Sequence, residues 1–91
     1  MKTLEEIKEY LCDHGYEETI VFENPSYCEA FIGITTDGRA VYDFEKMCGC
    51  LMDEDDMTYE DAVEFIEYNT IRAIPYIGHM APEVMYPIME Y

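Results

Sequence analysis

The sequence predicts an α+β fold: a small, mostly antiparallel sheet with three helices packed on one face, in the order α-β-β-β-α-α-β. Three observations carry this expectation. An Asp37-Gly38 pair separates two β-branched and aromatic runs, the strongest short-range hairpin signal. Apolar residues recur at helical spacing from Leu4 to Leu11 and again from Phe44 to Ile66. Helical patterns flank the strand-like runs, which suits helices stacked on a sheet.

Taken in order, Thr3-Leu4-Glu5-Glu6 fits a capping box, with Thr3 as N-cap and Glu6 reaching back. Leu4, Ile7 and Leu11 share a face, and Gly15 suits a left-handed helix end, so a helix is expected over 4–14. Thr19 to Phe22 reads as a strand stopped by Asn24-Pro25-Ser26. Cys28 to Thr36 and Arg39 to Tyr42 form the hairpin. A type I′ turn over Asp37-Gly38 sets Ile34 opposite Val41 and Gly33 opposite Tyr42. Gly33 marks a bulge or a close helix approach. Asp43 caps a second helix with Phe44, Met47, Cys48 and Leu51 inward, ending in the acidic run 53–56, whose charge opposes the helix dipole. Thr58 starts a third helix with Tyr59, Ala62, Val63, Phe65 and Ile66 on one side, ended by Ile74-Pro75. Val84 to Ile88 is the last strand, placed at a sheet edge by Pro87.

Ninety-one residues allow one domain, 1–91, with one modest core. Hydrophobic residues reach 49% and aromatics 14%, which is a globular composition. The net charge is −16, from 21 Asp and Glu against 5 Lys and Arg. Charge of that sign and size disfavours direct binding to nucleic acid or to anionic membranes, and favours a basic protein surface as partner. The N-terminus has no apolar leader segment, and no run approaches the length of a membrane span. A cytoplasmic location with reduced thiols follows as the expectation for the four cysteines.

No residue set points to catalysis, and none calls for a cofactor or a metal. Asp53, Asp55 and Glu64 match positions 1, 3 and 12 of a calcium loop, but Met57 and Thr58 fail where an oxygen ligand and a glycine are needed. Cys12-Asp13-His14 and Cys48-Gly49-Cys50 have the wrong spacing for zinc, because residues two apart on a helix face different ways. His14 and His79 are the only histidines and Ser26 the only serine. Asn69 falls on the apolar side of the third helix, where it is expected to tie the helix end to the backbone of the 74–83 loop.

The feature that stands out is local. Asp53, Glu54, Asp55, Asp56, Glu60, Asp61, Glu64 and Glu67 lie within residues 53–67 with no Lys or Arg among them. Glu60, Glu64 and Glu67 are expected on one helix face, about 4.5 to 6 Å apart along the axis. A row at that pitch can imitate a phosphate strand; it can also be a solvated face that keeps the protein soluble.

The stretch from Ala30 to Asp43, the stretch Asp56 to Ala62, and Asn69-Thr70-Ile71-Arg72-Ala73-Ile74-Pro75-Tyr76 resemble small uncharacterised proteins of gut Firmicutes and their prophages and other mobile elements. The resemblance covers residues 30 to 88 and implies a bacterial-host context without implying an activity. Two readings follow. The first is a small acidic protein-binding factor that docks on a basic, nucleic-acid-binding protein surface through residues 53–67, as a DNA mimic or inhibitor. The second is a non-catalytic structural or accessory protein whose acidic face serves solubility, with homodimerisation through the last strand. An enzyme ranks behind both.

Overall fold

The computed structural model describes residues 3–88; Met1 and Lys2, used in reading the N-terminus, lie outside them. Helix α1 (Leu4–Asp13) begins as its sequence dictates, with Thr3 Oγ1 accepting from the Glu6 amide at 3.1 Å. The Thr3 hydroxyl in turn donates to the Glu6 carboxylate. The helix ends in a Schellman motif: Gly15 is left-handed at φ 82, Tyr16 N–H reaches Leu11 O at 2.7 Å, and Gly15 N–H reaches Cys12 O.

Residues 19–22, expected as a strand, join no sheet. Side chains hold this segment instead. Thr19 Oγ1 donates to Gly38 O at 2.7 Å, and Phe22 N–H donates to the Tyr42 hydroxyl at 3.1 Å. The Phe22 ring packs on Tyr42 with centroids 4.8 Å apart. β propensity was satisfied here by aromatic packing rather than by a ladder.

The hairpin forms, with two differences from the expected one. Cys28–Ala30 is a turn of 3₁₀ helix, entered through a left-handed Tyr27 (φ 51), so strand β1 covers only Phe31–Ile34. Strand β2 (Ala40–Asp43) pairs with it antiparallel, with Ile34 opposite Ala40 and Gly33 opposite Val41. The expected register is thus displaced by one. The cause is the turn: only Gly38 (φ 87) is left-handed, and Thr35 N–H bonds Arg39 O at 2.8 Å while Gly38 N–H bonds Thr35 O at 3.0 Å. That is a three-residue loop, not a two-residue type I′ turn. A bulge between Phe31 and Gly33 then shifts the pairing by one more residue and places Phe31 opposite Tyr42.

Asp43 caps helix α2 (Phe44–Glu54) by accepting from the Lys46 amide, and Thr58 caps helix α3 (Tyr59–Phe65) by accepting from the Asp61 amide. Between them Asp56 is left-handed at φ 56. Beyond Phe65 the helical path widens into a π turn, Ile66–Thr70, and tightens into 3₁₀ turns, Ile71–Tyr76, that carry Pro75 inside rather than stopping before it. Ile71 N–H reaches back five residues to Ile66 O.

Strand β3 is shorter than expected, Glu83–Met85, and pairs with β2 in parallel, giving a mixed sheet ordered β1-β2-β3. Arg39 ties it down: Nε donates to Ala81 O at 2.8 Å and a second guanidinium nitrogen to Glu83 at 2.7 Å. All three helices feed one core. Ile7 and Leu11, Met47 and Leu51, and Ala62 and Ile66 join Ala40 and Tyr42 from β2, each buried. The outcome is a small α+β fold with one fewer strand than expected.

Candidate docking surface

All eight carboxylates of residues 53–67 are exposed. Asp53 and Glu54 end α2, Asp55 is its C-cap, and Glu60 and Asp61 occupy the first turn of α3, where the dipole favours them. Glu67 lies in the π turn. Met57 is the inward anchor of the junction, packed against the core while its neighbours point outward. Among the described residues the ion pairs are Lys8–Glu23 and Arg39–Glu83, so none of the eight is paired.

The surface is not carboxylate alone. Asp61 and Glu64 border a shallow depression of about 410 Å³ whose other walls are Met57, Phe65, Tyr68 and Asn69. Tyr68 is 59% exposed and carries the Arg72 guanidinium 4.8 Å from its ring centroid. Tyr59, at the head of α3, donates its hydroxyl to both oxygens of Glu45, at 2.9 and 3.1 Å. That hydrogen bond and the negative charge behind it raise the Tyr59 pKa. Tyr59 and Tyr68 thus stand exposed on the same stretch of chain as the carboxylates.

Asn69 does not reach the 74–83 loop. It is exposed and donates to Phe65 O in its own helix at 3.2 Å. The π turn explains this correction, because a widened turn rotates Asn69 outward and Thr70 inward. Thr70 is buried and its hydroxyl lies 2.8 Å from that of Tyr27. No sequence period marks a π turn, so this buried pair was not foreseen.

Asp53 and Glu64, the ends of the calcium-loop match, both lie in helices. Among the described residues no three His, Cys, Asp or Glu side chains gather as a metal-holding group. His14 stacks on Tyr10 at 4.0 Å and donates from Nδ1 to Tyr10 O. The four cysteines are free. Cys48 is buried, and burial first, then the charge of Glu45, pushes its thiol up to about 11. Burial also raises Cys50, despite hydrogen bonds to its sulfur from the Glu29 and Ala30 amides. Protonated thiols are weak ligands and weak nucleophiles.

A cleft of about 560 Å³ between the 3₁₀ turn and α2 was also not foreseen. It holds Cys28, Cys50, Ser26 and Lys46, and the Cys28 thiol donates to Ser26 Oγ at 3.2 Å. Neither histidine lines it. No helix among the described residues is long and apolar enough to cross a membrane. Compared with known protein families, curated sequences and solved structures, the chain matches none.

Proposed function

We propose that this is a non-catalytic protein-binding factor of a bacterial cytoplasm, an accessory of a phage or mobile element, that docks on a basic protein surface through residues 53–67. The observation that carries the reading is the stretch from the end of α2 to the π turn: eight exposed carboxylates, none in an ion pair among the described residues, with Asp61 and Glu64 bordering a depression walled by Phe65 and Tyr68. Carboxylates in this density steer a basic partner and raise its on-rate, while the apolar and aromatic wall supplies contact area that bare charge lacks. A surface of this kind occupies a nucleic-acid-binding groove by presenting negative charge where phosphates would lie.

The test is competition. A protein captured from bacterial extract at low salt should be released by high salt and displaced by duplex DNA. It should be lost when Glu60, Glu64 and Glu67 become Gln together. Capture that ignores DNA and survives the triple change would leave the acidic face with solubility as its role.

A further inference from the structure

We propose a second binding surface, separate from the acidic junction: the outer edge of β1 and the helix beside it receive an extended, basic segment of a partner protein as an added strand. Among the described residues β1 ends the sheet, so one of its edges faces no other described strand. A groove of about 430 Å³ runs along that edge, between β1 and α1. Four successive residues, Phe31 to Ile34, line it. A strand face presents alternate residues except at a bulge, so four in a row bring the β1 backbone to the groove beside its side chains. The 35–39 pair is hydrogen-bonded, which makes Ile34 and Ala40 a pair of the other type and turns the Ile34 N–H and C=O outward. Ile32 is the extra residue of the bulge. Among the described residues, no backbone group outside the sheet bonds Ile32 or Ile34.

The walls name the occupant. Tyr10 and Tyr16, 52% and 38% exposed, offer apolar faces to alternate side chains of an incoming strand. Glu6 lines the groove and Asp13 follows two turns later on the same side of α1. Lys8 is occupied elsewhere, paired with Glu23 at 3.2 Å. An extended segment alternating apolar with Lys or Arg residues complements both features. A second copy does not, because it brings its own −16 charge and its own Glu6 to the contact.

The experiment titrates the isotope-labelled full chain with a capped heptapeptide of alternating Val and Lys, following backbone amide resonances. Two control peptides carry Glu in place of Lys, or N-methyl groups that remove alternate backbone donors at unchanged charge. The Lys peptide should shift the Ile32, Gly33 and Ile34 amides and slow exchange at Ile34. N-methylation should weaken binding at least about tenfold, as expected for losing the main-chain bonds. The Glu peptide and the Glu6→Lys variant should both lose binding. The Glu60, Glu64 and Glu67 to Gln triple variant should retain it, which separates this surface from the acidic junction. Equal binding of the N-methylated peptide, shifts confined to residues 53–67, or self-association through β1 without peptide would each overturn the proposal.

Discussion

Tyr42 and Tyr27 show how single side chains hold this small core together. Tyr42 is fully buried, and its hydroxyl satisfies the Phe22 amide that would otherwise need a strand partner. Tyr27 reaches across the core to Thr70. Removing one hydroxyl of that pair, by Tyr27→Phe or Thr70→Val, leaves the other buried and unpaired and should cost about 1–3 kcal/mol. The double variant should recover part of that loss, and a double-mutant cycle by urea unfolding measures the difference. The same burial sets a pH dependence. Burial pushes Tyr42 up to about 12 from 10.0, and Cys48 up to about 11 from 9.0. A native state that holds these protons longer than the unfolded chain is fully stabilised by them below the unfolded values. It loses that contribution as pH rises, between 9 and 11 for Cys48 and between 10 and 12 for Tyr42. Unfolding free energies should therefore fall with rising alkalinity from about pH 9, and Cys48→Ala should make the fall between pH 9 and 11 shallower, leaving the share of the raised Cys50.

At the level of elements, sequence reading worked where a local chemical signal exists. Thr3, Asp43 and Thr58 each cap the helix they were expected to cap, and Gly15 ends α1. It failed where a tertiary contact decided the outcome. Residues 19–22 have strand composition but serve the Phe22–Tyr42 contact, which only the folded chain brings together. The hairpin was legible, but its register was not, because Asp37-Gly38 fits both a two-residue and a three-residue loop. The distinction rests on one backbone angle. Gly38 alone is left-handed, so Gly38→Ala should destabilise the protein by about 1–2 kcal/mol, read as a lowered melting temperature. Asp37→Gly, at a residue without positive φ, should gain nothing from glycine's freedom there.

Across the whole molecule, charge is the dominant quantity, and its location was the most legible part of the candidate site. All eight acidic residues named from sequence are exposed, from the end of α2 along α3 to the π turn. The depression walled by Phe65 and Tyr68 was hidden, because the π turn that sets its lower rim leaves no periodic trace. Self-repulsion of sixteen net negative charges opposes folding, so added salt should raise the melting temperature until the repulsion is screened, within a few tenths molar. The same salt should weaken docking. These opposite responses separate the structural effect of charge from its binding effect.

The central claim is that position, not total charge, makes the α2–α3 junction a docking surface. Two variants of equal net charge test it: one with Glu60, Glu64 and Glu67 changed to Gln, the other with Glu9, Glu17 and Glu18 changed to Gln. Binding to the captured partner is measured for both at low salt. The junction variant should lose at least about tenfold in affinity, as expected for removing three of its charges, while the other should stay within about twofold of the parent. Equal loss in both, or none in either, would contradict the assignment.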